Sequence, residues 1–108
     1  MNWIQITDEC LLDEIKLKSF QQAQIIFKHS TTCSISSMAK NRLEKGETNL
    51  DIYYLDLLNF RNISNKIESA FQVHHESPQI LVIKNGECIY DESHYGINLE
   101  EIYEQTSR

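Results

Sequence analysis

Asn85-Gly86 narrows what this chain can become more than any other pair in it. Both central positions of a two-residue type I′ turn need positive φ, which asparagine and glycine adopt at least cost. The pair stands between the apolar run Ile80-Leu81-Val82-Ile83 and a returning stretch from Glu87 to Asp91, so this region reads as an antiparallel hairpin. Pairing Lys84 with Glu87 predicts Ile83 opposite Cys88, Leu81 opposite Tyr90 and Pro78 opposite Ser93. Cys88 is then at the turn end, on the order of 17 Å from Pro78 at ~3.4 Å per residue. A disulfide needs Cα atoms within about 7 Å, so Cys88 is excluded as a partner for any thiol at the Pro78 end. Pro78, the chain's one proline, opens the strand, where a missing N–H is tolerated. The register carries Ser93, His94 and Tyr95 toward that same end.

A second constraint lies upstream. Ile25-Ile26-Phe27 reads as a short buried strand, and Ile35, Met38, Ala39 and Leu43 then recur with the spacing of one inward helix face. Cys33 falls between them, at the helix N-terminus. The first N–H groups of a helix lack internal partners and favour negative charge, and thiols placed there are held below their ordinary range. Cys33 is therefore a candidate nucleophile, and a low-pKa thiol also leaves readily from a mixed disulfide, which suits a group loaded and unloaded repeatedly. The competing reading is a small buried cysteine that packs like an apolar residue. Ser30, Thr31, Thr32, Ser34 and Ser36 around it argue for an exposed loop instead.

The remaining segments complete an alternating pattern. Met1 to Ile6 reads as a short strand; Thr7 is an N-cap candidate for a helix whose stripe is Leu11, Leu12, Ile15 and Phe20, with Cys10 as packing. Gly46 stops the Cys33 helix, and Leu50 to Leu58 gives a strand parallel to the first buried one. Ile63, Ile67, Ala70 and Phe71 mark a third helix. Asn98 with Glu101 starts a last one, with Leu99, Ile102 and Tyr103 inward.

Length and charge bound the function. At 108 residues the chain is one domain, residues 1–108. Its net charge of −6 disfavours nucleic acid, which needs a basic face. No stretch approaches the ~20 apolar residues of a membrane span, and Asp8, Glu9, Asp13 and Glu14 stand where a signal peptide would be apolar. Three cysteines without metal-ligand spacing fit a reducing compartment, so a cytoplasmic protein with no metal site is expected. Adjacent His74 and His75 would point opposite ways in a strand-like segment and lack further ligands.

The order strand, helix, strand, Cys, helix, strand, helix, Pro, hairpin, helix resembles the thioredoxin fold. The segments Phe27-Lys28-His29-Ser30-Thr31-Thr32-Cys33, His75-Glu76-Ser77-Pro78-Gln79 and Ser93-His94-Tyr95 resemble the monothiol bacilliredoxin family, typified by a Thr-Cys-Pro-Ile-Ser site, over essentially the whole chain. Ser34 stands where that family usually has proline, and Tyr95 where it tends to carry tryptophan. The resemblance implies an α/β thioredoxin-like fold with a mixed four- or five-stranded sheet flanked by helices. It also implies a cis bond at Ser77–Pro78, with Ser77 meeting the substrate backbone. Ser36 occupies the position of a dithiol enzyme's resolving cysteine, which leaves Cys33 to work with an external thiol. The implied activity is removal of bacillithiol from mixed disulfides on proteins. Cys33 is then the nucleophile, Thr32, Ser34, Ile35, Ser36, Ser77, Pro78, His75 and His94 are substrate contacts, bacillithiol is the co-substrate, and no cofactor is tightly bound. Lys28 and His29 read either as partners for the carboxylates of bacillithiol or as exposed strand-end cations. Rival readings are a non-catalytic thioredoxin-fold adaptor and a monothiol glutaredoxin-like iron–sulfur carrier.

Overall fold

The computed structural model describes residues 1–46 and 50–107. In chain order its elements are β1 (Asn2–Gln5), α1 (Cys10–Lys18), β2 (Gln24–His29), α2 (Ser34–Lys45), β3 (Asp51–Asp56), α3 (Arg61–Phe71), β4 (Gln79–Lys84), β5 (Glu87–Ser93), a single 3₁₀ turn (His94–Gly96) and α4 (Leu99–Thr106). The strands form one five-stranded mixed sheet in the order β1-β3-β2-β4-β5. β1 and β2 each run parallel to β3, β4 is antiparallel to β2, and β5 returns antiparallel to β4.

The alternation of strand side chains splits the core between the two sheet faces. Ile26, Tyr53, Leu55, Leu81 and Ile83 meet Leu12 and Ile15 of α1 and Ile63, Ile67 and Phe71 of α3. Ile25, Phe27, Ile52 and Ile80 meet Ala39 and Leu43 of α2, Ile97, and Ile102 of α4. β2 and β4 occupy the middle of the sheet and are buried on both faces, which is why they read as unbroken apolar runs. Among the described residues, no helix is long and apolar enough to cross a membrane.

Several expectations are corrected. Met38 is exposed, because α2 turns Ser36, Ala39 and Leu43 inward; at roughly 100° per residue Met38 falls well off that line. Ala70 and Tyr103 are exposed for the same reason, on α3 and α4. Phe20 lies beyond the end of α1 and is exposed, with its ring over Gly86. Cys10 is exposed rather than packed, and Asp8 supplies the capping carboxylate expected of Thr7, its Oδ1 accepting the Cys10 N–H at 2.8 Å. Gly46 does stop α2, but at φ −75°; a side chain there would collide with Leu99 Cδ2, so the need is for space.

The hairpin carries the correction that matters most for function. Asn85 and Gly86 have φ of 54° and 80°, as a type I′ turn requires. Lys84 pairs with Glu87 and Ile83 with Cys88, but a bulge at Ile89 then puts Val82 opposite Tyr90, Leu81 opposite Asp91 and Gln79 opposite Ser93. The one-residue shift brings His94, not Ser93, across from Pro78, and the His94 N–H donates to the Pro78 carbonyl at 3.1 Å.

Candidate active site at the Cys33 edge

Cys33 is the N-cap residue of α2, with extended backbone (φ −100°, ψ 120°) and a half-buried side chain. The loop reaching it from β2 is exposed at Thr31 and Thr32, and Ser34 beyond it is exposed too. The Ser37 N–H donates to the Cys33 carbonyl at 3.1 Å, the first turn of the helix closing behind the thiol. Ile35 is half-buried.

The second loop of this edge precedes β4. Lys28 pairs with Gln79, so Pro78 stands one place further on, abreast of His29 at the end of β2. The Ser77–Pro78 bond is cis. Gln79 is buried and holds the loop from within: its Nε2 donates to the His74 carbonyl at 3.0 Å and its Oε1 accepts the Glu76 N–H at 3.4 Å. His94 closes the loop from β5 in a left-handed conformation (φ 54°), and Arg42 of α2 donates to its carbonyl at 3.2 Å. Its ring Nε2 lies 3.8 Å from Glu76 Oε2. Histidine is among the side chains that adopt positive φ more readily than most.

Four residues are placed otherwise than expected. Ser36 is fully buried, its Oγ 2.6 Å from His29 Nδ1 and 3.1 Å from the Ser30 N–H, so it supports the loop from below and offers no surface to a substrate. Lys28 and His29 are neither exposed cations nor open to a carboxylate ligand: both are buried, on opposite faces of β2. His75 is turned toward Lys28, whose ammonium donates to its Nδ1 at 2.6 Å, with Ser64 Oγ at 3.3 Å. The His75 backbone N–H donates to Glu68 Oε2 at 2.6 Å. His75 thus braces the proline loop against α3.

Burial governs the charges here. It pulls Lys28 down to about 8, against the opposing pull of Glu68 and Glu76. His75 is lowered by burial first and then by the Lys28 charge. His29 is lowered by burial and by Lys40, with Asp56 opposing. The other two thiols are poorly suited to attack. Burial pushes Cys88 up to about 11, and its thiol donates to the Tyr90 carbonyl at 3.2 Å; Cys10 is raised by its hydrogen bond to Asp8 and by that carboxylate's charge.

Among the described residues, two buried side-chain oxygens lack any partner, Asp56 Oδ1 and Ser77 Oγ. Both belong to this edge, at the end of β3 and in the loop just before β4, where polar capacity is left unused. No three His, Cys, Asp or Glu side chains are grouped as metal ligands among those residues. Sequence reasoning missed Lys28, His29, Glu68 and Asp56 as site-building groups. The available signal was that Lys28-His29 continues the strand directly, with no turn residue between it and Phe27.

A family model described as monothiol bacilliredoxin BrxC matches residues 4–102. A thioredoxin-fold protein named for an assumed oxidoreductase role is 29% identical, with a TM-score of 0.85 over 98% of this chain and 94% of that one. Oxidised thioredoxin from Plasmodium falciparum superposes at a TM-score of 0.73 with 15% identity, covering 99% of this chain and 100% of that one. A mutant thioredoxin from Halobacterium salinarum gives 0.71 with 12% identity, over 98% and 88%. At such identities the thioredoxins show the fold alone.

Proposed function

This chain belongs to the monothiol bacilliredoxin family, a group of thiol redox proteins, and on that premise we propose that Cys33 removes bacillithiol from mixed disulfides on other proteins. The Cys33 thiolate attacks the bacillithiol sulfur of the mixed disulfide. A Cys33–bacillithiol disulfide forms, the client sulfur leaves as a thiolate and takes a proton from water. A second thiol then attacks the bacillithiol sulfur on Cys33 and regenerates the Cys33 thiolate, so each exchange conserves electrons.

One observation carries this reading. Half-buried Cys33 is the N-cap residue of α2, the Ser77–Pro78 bond abreast of the end of β2 is cis, and three residues past Cys33 stands a buried serine with its hydroxyl already engaged. A dithiol cycle within the loop has no second sulfur there, which favours an external thiol. Thr32, Ser34, Ile35, Ser77, Pro78 and His94 line the approach, with Ser77 offering its backbone to the substrate chain. Bacillithiol is the co-substrate, no resident cofactor is required, and bacillithiolated proteins of the cytoplasm are the clients. The acidic balance of the chain fits the absence of nucleic acid from that list.

The test is release of bacillithiol from a bacillithiolated model protein, run beside a glutathionylated one. Wild type is expected to release bacillithiol selectively and Cys33→Ser to release none. Full release by Cys33→Ser would overturn the mechanism.

A further inference from the structure

Ser36 and His29 lie under the Cys33 loop and make no contact required by the exchange just described. Ser36 Oγ has two hydrogen-bonding neighbours among the described residues, the Ser30 N–H at 3.1 Å and His29 Nδ1 at 2.6 Å. Ser36 is fully buried and His29 only 5% exposed, so the hydroxyl hydrogen needs an acceptor within the protein. The Ser30 amide is a donor and cannot serve. His29 Nδ1 is therefore the acceptor, and the neutral imidazole carries its proton on Nε2.

We propose that His29 is a positioning residue for Cys33: through the Ser36 hydroxyl it ties the entry of the 30–36 loop to its exit and fixes the thiol between them. His29 is itself the last residue of β2, and its carbonyl accepts the Leu57 N–H at 3.0 Å, so the anchor is the sheet. Its ring stacks on Phe27 (centroids 5.8 Å apart, planes at 26°) and packs on Tyr54 at 5.5 Å, which leaves it little freedom to turn. The proposal uses the family reaction only as the reason a fixed thiol matters; the clamp itself rests on geometry.

The groups facing His29 are Lys40 from α2 and Asp56 and Tyr54 from β3; Phe27 of β2 adds no charge. Burial and Lys40 favour the neutral ring, the form that accepts from Ser36. Acid reverses the bond. A protonated Nδ1 donates to Ser36 Oγ, which already accepts from Ser30, and the hydroxyl hydrogen is turned out of the clamp.

Two measurements test this in a background of Cys10→Ser and Cys88→Ser, so that Cys33 is the reporting thiol. Ring ¹⁵N spectra of the histidines at pH 7 are expected to show His29 as the Nε2–H tautomer; an Nδ1–H or averaged signal overturns the clamp. The rate of Cys33 with 5,5′-dithiobis(2-nitrobenzoate), in which the Cys33 thiolate displaces thionitrobenzoate, reads loop geometry without bacillithiol. Failure of the bacillithiol reading leaves this assay intact. Ser36→Ala and His29→Leu are expected to slow it about three- to tenfold, the worth of one hydrogen bond. His29→Asn places an amide oxygen near the Nδ1 position and is expected to restore most of the rate. As pH falls through the His29 titration, wild type should lose rate relative to His29→Asn. Unchanged rates in the first two variants, or a wild-type to His29→Asn ratio constant with pH, overturn the proposal.

Discussion

Lys28 shows what a single residue costs and supplies at this edge. Its ammonium is fully buried, and one neutral imidazole, His75, accepts from it. Desolvation lowers its pKa from 10.5 to about 8, so the native state takes up this proton less readily than the unfolded chain does. Between about pH 8 and 10.5 the unfolded chain holds the proton and the native state does not, so stability rises with pH across that window. Below about 8 both states are charged and the native state carries the full burden, on the order of 3 kcal/mol. Lys28→Met removes the burden and leaves Ser64 beside the His75 ring. Urea unfolding at pH 7 and pH 10 is expected to show a Lys28-dependent rise in wild-type stability that Lys28→Met lacks, with the variant the more stable at pH 7. A gap between the two proteins that does not change with pH would mean that Lys28 is not desolvated as the structure has it.

At the scale of elements, the start of α2 decides how the thiol is presented. Ser34 is its first residue, and Cys33 before it already has φ −100° and ψ 120°, within the extended region that a following proline imposes. Proline is well suited to the first helical position, where its ring pre-sets φ and no intrahelical N–H is lost. Ser34→Pro is therefore expected to stabilise the chain by about 0.4–1 kcal/mol through the unfolded state, read as a higher urea midpoint with an unchanged slope. Elements of this kind were largely legible from sequence. Strands β2 and β4, the Asn85-Gly86 turn and the site of Cys33 follow from local pattern. The rotation of α2 did not, because it depends on Ser36 reaching His29, a polar contact that apolar periodicity does not register. The bulge at Ile89 was also hidden: an alternating strand reads the same with or without one extra residue, yet the difference decides whether His94 or Ser93 faces Pro78.

Across the whole molecule, two adjacent residues of one strand hold the two halves of the candidate site. Successive strand side chains point to opposite faces, so His29 reaches Ser36 under the Cys33 loop while Lys28 reaches His75 in the proline loop. The central position of β2, parallel to β3 and antiparallel to β4, makes this one strand end the common anchor. Sequence could mark Cys33 and Pro78 as a candidate site, but their support is tertiary and crosses the sheet. The two supports differ in what they share. His29–Ser36 lies among the α2-side residues and Lys28–His75 among those of α3, with no side chain in common. Combining Ser36→Ala with Lys28→Met should then give stability changes that add to within about 0.5 kcal/mol. Reactivity should behave otherwise if, as proposed, a disulfide substrate meets the thiol and the proline loop together, because loosening either then already forfeits the shared geometry. The double variant is expected to lose less rate in disulfide exchange than the product of the single losses, although its stability changes add. Rates that multiply independently, measured beside additive stabilities, would show that the two loops do not position one site.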